Sequence, residues 1–211
     1  SEVLTGGGGD DRITTEFGYS QIRGEAGNDY LQGSDQRDEI YGGFGNDTIY
    51  GRGGDDYISE DQGNNLIDAG DGDDVVYVWA SKSMGQTIAG GAGDDNIGLS
   101  VDYTNGVASV NGGAGNDTIN ISQAKYATVS GGAGRDILMQ SNYWSPAEVL
   151  FTDFQIGAGG DVVDASYFLK SGANGYDGSN PFTTGYLKLV QDGADALVQA
   201  GADGSKTTNY Q

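Results

Sequence analysis

Aspartates in glycine-rich stretches are the residues of this chain with the clearest capacity for chemistry. Asp11, Asp29 and Asp47 recur at intervals of 18 residues, and Asp56 and Asp74 repeat the same interval. The chain contains no histidine and no cysteine. Carboxylate and carbonyl oxygens suit hard cations such as Ca²⁺, whereas zinc and copper prefer nitrogen and sulfur ligands. These residue types therefore indicate calcium ligation or acid–base catalysis by paired carboxylates.

Catalysis is the weaker interpretation. The acid pairs Asp10/Asp11 and Asp55/Asp56 could imitate the two carboxylates of a glycosidase. They recur from turn to turn, however, and no serine has a histidine to activate it. We therefore expect this chain not to be an enzyme, which leaves open a catalytic domain upstream in a full-length protein.

Composition and charge limit the possible partners. The 211 residues include 39 glycines, and 31 acidic residues against 10 basic ones give a net charge of −21. Such a chain repels phosphates, so neither nucleic acid nor anionic lipid is an expected partner. No apolar run is long enough for membrane insertion, and the N-terminus does not resemble a signal peptide. The start of the chain at Ser1 resembles a cleavage point within a longer sequence, which predicts that the chain belongs to a longer protein.

A nine-residue repeat organises the first two thirds of the chain. Unit 42–50 reads GGFGNDTIY, the pattern G-G-x-G-x-D-x-U-x in which U is a large aliphatic residue. Eight units follow one another without insertion from Gly6 to Tyr77, at 6–14, 15–23, 24–32, 33–41, 42–50, 51–59, 60–68 and 69–77. Further good copies occur at 90–98, 112–120 and 131–139.

Each unit combines a turn with a short strand. Six glycine-rich residues form the turn, and the three that follow place one aliphatic side chain inward between two polar neighbours. The inward residues are Ile13, Ile22, Leu31, Ile40, Ile49, Ile58, Ile67, Val76, Ile97, Ile119 and Leu138, with Ile88, Val110 and Val129 after longer loops. Two units make one coil of 18 residues. We therefore predict an all-β fold: a parallel β-roll (β-helix) over 1–139, followed by a β-rich C-terminal cap over 140–211.

Stacking of the coils explains the need for a cation. Turns 18 residues apart lie on the same edge, with their aspartates roughly 4.8 Å apart, one strand spacing. Stacked carboxylates repel one another unless a cation lies between them, and glycine-rich turns expose the carbonyl oxygens that Ca²⁺ also accepts.

The repeats resemble those of the RTX family of secreted toxins, proteases, lipases, adhesins and alginate epimerases. The resemblance implies that one turn offers its second and fourth carbonyls and its Asp, while the next turn on that edge offers its first and third carbonyls and its Asp. On the first edge it implies one ion held by Gly7, Gly9, Asp11, Gly24, Ala26 and Asp29, and another held by Glu25, Gly27, Asp29, Gly42, Phe44 and Asp47. On the second edge it implies ligands from Gly51, Arg52, Gly53, Gly54, Asp56, Ala69, Gly70, Asp71, Gly72, Asp74, Gly90, Gly91, Ala92, Gly93, Asp95, Gly112, Gly113, Ala114, Gly115, Asp117, Gly131, Ala133 and Asp136.

Degenerate turns suggest that the calcium row changes edge near residue 50. On the first edge, turn 60–65 has Glu60 for its first glycine and Asn65 for its aspartate, and longer loops follow. On the second edge, turn 15–20 ends in Ser20, and turn 33–38 keeps its aspartate, Asp38, but only one glycine. We expect about six calcium ions, two on the first edge and four on the second. Pairs of Asp38 with Asp56, and of Asp47 with Asn65, are candidates for extra sites.

The C-terminal segment changes character. Val149–Gly157 is predicted to form a strand, Asp161–Leu169 a short helix with Asp164 near its start, and Tyr186–Val190 with Ala196–Ala200 a hairpin. The segment resembles the C-terminal region of type I secretion substrates, in FTDF and in GYLKLVQDGADALVQ. That resemblance implies that Asp153 completes the last ion site with Asp136.

These patterns predict a secreted, extracellular or cell-surface calcium-binding module that folds on calcium and is exported by type I secretion. Its expected partners are calcium ions and, in the full-length protein, the type I secretion machinery. An alternative follows from outward tyrosines, whose flat faces could stack on a polysaccharide. The chain would then be a carbohydrate-binding, adhesin or surface-layer module, or the non-catalytic repeat module of a polysaccharide-modifying enzyme. The outward tyrosines are Tyr30, Tyr41, Tyr50, Tyr57 and Tyr77.

Overall fold

The computed structural model describes residues 1–80, 85–102, 104–140, 148–155, 159–164, 187–192 and 195–200. Strands are numbered along the chain. A nine-stranded sheet contains β1 (Glu2–Gly8), β3 (Ser20–Ala26), β5 (Glu39–Phe44), β7 (Tyr57–Glu60), β9 (Val75–Ala80), β11 (Asn96–Val101), β13 (Thr118–Gln123), β15 (Ile137–Gln140) and β17 (Val162–Asp164). An eight-stranded sheet contains β2 (Arg12–Thr14), β4 (Tyr30–Gln32), β6 (Thr48–Gly53), β8 (Asn65–Asp71), β10 (Gly85–Ala92), β12 (Val107–Ala114), β14 (Tyr126–Ala133) and β16 (Glu148–Thr152).

The chain alternates between these two sheets, and within each sheet neighbouring strands are parallel. Ile22 pairs with Ile40, and Ile40 pairs with Ile58, so each early coil advances the register by 18 residues. Later coils are longer: Val76 pairs with Ile97, and Ile97 with Ile119. From β1 to β8, each odd strand is followed by a first-edge turn and each even strand by a second-edge turn. The predicted parallel β-roll is therefore confirmed.

The core is the predicted ladder of inward aliphatic residues. Ile22, Ile49 and Leu138 are fully buried, whereas Ile13 in the first coil is only partly buried. Strands in the later coils are longer and add a second buried residue, as Val78 and Leu99 do. The core thus widens toward the first edge in the coils where that edge has lost its aspartates.

Close stacking of the turns explains the glycines at their fourth positions. Gly27 has φ +140°, and a Cβ there would overlap the carbonyl of Gly9 in the coil below. Glycine alone tolerates both the left-handed backbone and this approach. Second positions also have positive φ, and Glu25 and Arg52 adopt it as non-glycine residues at +76° and +83°.

The parallel sheets continue beyond residue 139, because β16 pairs with β14 and β17 pairs with β15. The predicted helix over 161–169 is therefore wrong at 162–164, which form β17. The open edge of β15 offers these residues hydrogen-bond partners, and that non-local pairing overrides local helix propensity. Positions 165–169 lie outside the described residues.

Two other C-terminal predictions can be compared with the structure. The strand predicted over 149–157 is shorter, since β16 ends at Thr152 and Asp153 has φ +57°. The hairpin is confirmed: β18 (Leu187–Asp192) pairs antiparallel with β19 (Asp195–Ala200). In the part of the chain that the structure describes, no helix has the length and apolar character needed to cross a membrane.

Candidate metal centre

Stacked aspartates line the second edge at the sixth position of each turn. This position lies two residues before the inward aliphatic residue, so its side chain also faces inward. Asp56 Oδ1 accepts a hydrogen bond from the backbone N–H of Asp38 at 2.7 Å, and Asp74 Oδ1 accepts one from Asp56 at 2.7 Å. Asp95 and Asp117 continue the ladder, each bonded to the aspartate one coil below at 2.9 Å. One oxygen of each carboxylate is thereby fixed in place.

The first edge has the same ladder over fewer coils. Asp29 Oδ1 accepts the N–H of Asp11 at 2.8 Å, and Asp47 Oδ1 accepts the N–H of Asp29 at 2.7 Å. Beyond Asp47 the column loses its carboxylates. In successive coils it contains Asn65, Gln86, Ala108, Ala127 and Val149. Acidic residues thus give way first to amides and then to apolar residues that join the core.

The second oxygen of each stacked aspartate is buried and lacks a hydrogen-bond partner. The unpartnered atoms are the Oδ2 atoms of Asp11, Asp29 and Asp47 on the first edge, and of Asp56, Asp74, Asp95, Asp117 and Asp136 on the second. A buried, unpaired carboxylate oxygen is strongly unfavourable, and a bound cation removes the penalty. Two gaps separate the aspartates of the first row and four those of the second, room for the predicted six ions; the number of ions stays a prediction.

Backbone carbonyls approach the same unpartnered oxygens. A Cβ built on Gly24 would overlap both Asp29 Oδ2 and the Gly42 carbonyl oxygen, so these two acceptors lie side by side. The same arrangement brings Asp56 Oδ2 to the Ala69 carbonyl, Asp95 Oδ2 to that of Gly112, and Asp117 Oδ2 to that of Gly131. In each case the carbonyl comes from the first residue of the next turn, as the sequence predicts. Adjacent acceptors with no donor between them fit Ca²⁺, which binds about 6–8 oxygens.

Within the described residues, no three acidic side chains converge on one point. A site in either row would therefore combine two carboxylates with backbone carbonyls. The two carboxylates would balance the charge of one divalent ion, and carbonyls of the glycine-rich turns would complete its coordination.

Asp38 differs from the aspartates above it. Its Oδ1 accepts the N–H of Ser20 at 2.6 Å, and its Oδ2 accepts the N–H of Ser34 at 2.6 Å. Both oxygens of Asp38 thus accept a backbone N–H, although Oδ2 also lies beside the Gly51 carbonyl, as its counterparts in the two rows lie beside theirs. Its pairing with Asp56 in an extra site stays a prediction.

The last coil places two acids near Asp136. Asp153 Oδ1 accepts the N–H of Gly131 at 3.2 Å, and its Oδ2 accepts the N–H of Gly132 at 3.0 Å. Asp161, rather than Asp153, occupies the next sixth position, where its Oδ1 accepts the N–H of Asp136 at 3.0 Å. The assignment of Asp153 as a ligand stays a prediction. Sequence reasoning missed Asp161, although G-A-G-G-D-V-V over 157–163 has the aspartate two residues before an aliphatic residue, as in the repeats.

A second, solvent-exposed ladder occupies the fifth position of each turn. Asn28 Oδ1 accepts the N–H of Asn46 at 2.9 Å, and Asn46 Oδ1 accepts that of Asn64 at 2.8 Å. Asp55 and Asp73 form the same contact on the second edge at 3.1 Å. An amide serves here as well as a carboxylate, because only an acceptor is needed. The paired acids at positions five and six therefore serve two different hydrogen-bond ladders.

Arg52 and Arg135, which lie in turns of the second-edge row, direct their charge away from the aspartates. Arg52 forms an ion pair with Asp35 at 3.0 Å on the surface. Arg135 is exposed and uses its backbone N–H to bond Asn116 at 3.0 Å.

Burial raises the pKa of the five second-edge aspartates from Asp56 to Asp136. Loss of hydration raises the pKa of Asp56 to about 8, and those of Asp74 and Asp95 to about 7. The pKa of Asp117 rises to about 6 for the same reason. Neighbouring carboxylates raise these pKa values further, while the backbone hydrogen bonds lower them. Without a cation, Asp56 would therefore be largely protonated at neutral pH, and Asp74 and Asp95 partly so.

These pKa values predict opposite effects of pH with and without calcium. The folded pKa values exceed the ordinary aspartate value, so folding without calcium takes up protons. The metal-free roll should therefore be most stable below about pH 4 and lose stability as pH rises to about 8. In calcium, protons compete with the ion, so acidification should weaken binding. Circular dichroism in chelator from about pH 8 to about pH 5 should record increasing β-structure; β-content that falls over this interval contradicts the prediction.

Comparison with known proteins agrees with this geometry. The family model described as RTX calcium-binding nonapeptide repeat matches four stretches, residues 3–22, 23–58, 61–80 and 104–120. A search of the curated proteins found no significant match. The matched stretches contain both edges of the early coils and reach Asp117 on the second edge.

Proposed function

Because the chain belongs to the RTX family of calcium-binding nonapeptide-repeat proteins, we propose that it is the calcium-dependent folding module of a secreted or cell-surface protein. The module is exported unfolded by a type I secretion system and folds where it meets extracellular calcium. The module itself is not catalytic. Any enzymatic activity belongs to other parts of a full-length protein.

The rows of buried, unpartnered carboxylate oxygens carry this proposal. Eight stacked aspartates each direct one oxygen toward a neighbouring coil without a protein donor to meet it. A net charge of −21 around a narrow aliphatic core favours the unfolded chain when calcium is scarce. Calcium binding then supplies the free energy of folding. Extracellular calcium modules bind with dissociation constants of about 10⁻⁴–10⁻³ M, which suits a switch between cytoplasm and exterior.

Calcium stoichiometry tests the proposal. Equilibrium dialysis at millimolar calcium should give at least about six ions per chain, one for each gap in the two rows. Magnesium at equal concentration should not displace them, because its preferred distance of about 2.0–2.1 Å and tightly held water suit stacked carbonyls poorly. Fewer than about two bound ions, or full displacement by magnesium, would contradict site-specific calcium binding.

Carbohydrate binding is a second candidate, favoured by an aromatic strip on the nine-stranded sheet. The ring centroids of Tyr41 and Tyr57 are 5.9 Å apart, and those of Tyr57 and Tyr77 are 6.2 Å apart. The ring of Tyr77 extends over Gly98, where a Cβ would collide with it. Trp79 lies two residues farther along β9 and is 68% exposed. Such a strip offers successive flat faces to the rings of a neutral polysaccharide.

A soluble neutral glucan, titrated in calcium, tests this second candidate. Trp79→Ala should weaken binding by about tenfold, or ~1.4 kcal/mol, whereas Leu66→Ala on the other sheet should leave it unchanged. Absence of binding by the calcium-loaded chain would rule out this glucan as a ligand. It would leave the folding module unaffected.

A further inference from the structure

Glu60 is a buried acid in a turn position that is glycine or alanine in every calcium turn of the two rows. Its side chain is 0% exposed. Oε1 accepts hydrogen bonds from the N–H groups of Gly43 and Asp61, both at 3.1 Å. Oε2 is buried and has no partner. Half of this carboxylate is therefore fixed by the backbone, while the other half is available to a ligand.

The Glu60 carboxylate extends into the coil below its own turn. A Cβ on Gly42 would overlap Glu60 Oε2. In the coil below, the equivalent Cβ on Gly24 would overlap Asp29 Oδ2. Glu60 Oε2 thus occupies the place where, in the calcium turns, an unpartnered aspartate oxygen lies beside a carbonyl of the next turn. Glu60 and Asp47 lie within hydrogen-bonding reach of each other. Asp47 Oδ2 is itself buried without a partner.

Asn65 explains why a second carboxylate is needed at this level. It occupies the sixth position above Asp47, and its Oδ1 accepts the Asp47 N–H at 2.8 Å. The free end of the side chain is Nδ2, a donor, which has no partner and cannot ligate a cation. The turn has thus lost a carboxylate at its sixth position and gained one at its first.

We propose that Glu60 and Asp47 hold a further calcium ion between turns 42–47 and 60–65, which closes the first-edge row. The inference rests on the proposed calcium function and adds a ligand from outside the repeat pattern. Two facing, unpartnered carboxylates carry a combined charge of −2, which one Ca²⁺ neutralises. Carbonyls of the two turns complete its shell. Above this ion the column passes to Gln86 and then to apolar residues, so the row ends here.

Calcium stoichiometry of matched variants tests Glu60. Glu60→Gln keeps the size of the side chain and an acceptor for Gly43 and Asp61 but removes the charge. Asp61→Asn removes a charge from the exposed neighbouring residue and is the control. Equilibrium dialysis of the full chain should give about one ion fewer for Glu60→Gln than for wild type, and no loss for Asp61→Asn. Equal counts for Glu60→Gln and wild type would overturn the inference, whereas a wild-type chain that binds no calcium would overturn the proposed function instead.

A double variant covers the case in which Glu60→Gln does not fold. Glu60→Gly with Asn65→Asp returns the carboxylate to the sixth position and restores a regular calcium turn. This variant should bind as many ions as wild type. An ion count above that of wild type would show that the wild-type turn binds no ion through Glu60, which overturns the inference. A Glu60→Gly single variant that gains an ion would show that Glu60 blocks the site, which also overturns the inference.

Discussion

Removal of calcium is expected to unfold the roll almost completely at about pH 7.5. In chelator, the eight stacked aspartates would each retain a buried oxygen without a partner. The penalty is typically about 1–3 kcal/mol for each unsatisfied polar group and larger for a charged one. Over eight groups the sum is about 8–24 kcal/mol, as large as or larger than the 5–15 kcal/mol that typically stabilises a folded domain. Far-UV circular dichroism should therefore change from a coil-like spectrum in chelator to a β spectrum in millimolar calcium.

Cooperativity is part of the same expectation. Each interior aspartate of a row would contribute to the ions above and below it, so binding of one ion should organise the next site. The calcium titration should be sigmoidal and should coincide with the increase in β-structure. Sodium chloride at matched ionic strength is the control for simple charge screening. A β spectrum that persists in chelator, or appears equally in sodium chloride, would contradict the prediction.

The regular features of the fold could be predicted from the sequence because the period of nine residues imposes them. Once Ile22 and Ile40 are both inward and lie one coil apart, every sixth-position residue is placed on one of two edges. The end of the first-edge row could also be predicted, since Asn65 interrupts its column of aspartates. These are properties of a repeated backbone, and each unit supports the interpretation of the next.

Features that depend on contacts between coils could not be predicted. Glu60 differs from the repeat pattern, but only the stacking shows that its carboxylate extends to Gly42 and Asp47. The strand over Val162–Asp164 forms because β15 leaves an open sheet edge. The helix propensity of residues 161–169 contains no information about this pairing with β15.

Side-chain to backbone bonds within a turn also escaped prediction. The Ser34 N–H donates a hydrogen bond to Asp38 Oδ2, the oxygen that lacks a donor in the aspartates of the two rows. Asp38 is thus an aspartate in the repeat position whose chemistry is satisfied within the protein. Its presence in the sequence alone does not distinguish it from Asp56.

Asp95→Ala is expected to destabilise the calcium-loaded roll far more than Asp38→Ala, although both residues occupy the second-edge column and are almost completely buried. Asp95 lies between Asp74 and Asp117, and its free Oδ2 lies beside the Gly112 carbonyl. Its removal takes one carboxylate from two adjacent ions, and breaking a buried charge pair typically costs about 3–5 kcal/mol.

Asp38→Ala serves as the matched control for Asp95→Ala. It removes the acceptor of two neutral backbone N–H groups, those of Ser20 and Ser34, at about 0.5–1.5 kcal/mol each. Urea denaturation in saturating calcium measures both losses, and equilibrium dialysis counts the ions. Asp95→Ala should lose about two ions and Asp38→Ala none. Equal losses of stability for the two variants would mean that calcium is bound evenly along the second edge, with Asp38 as a full ligand.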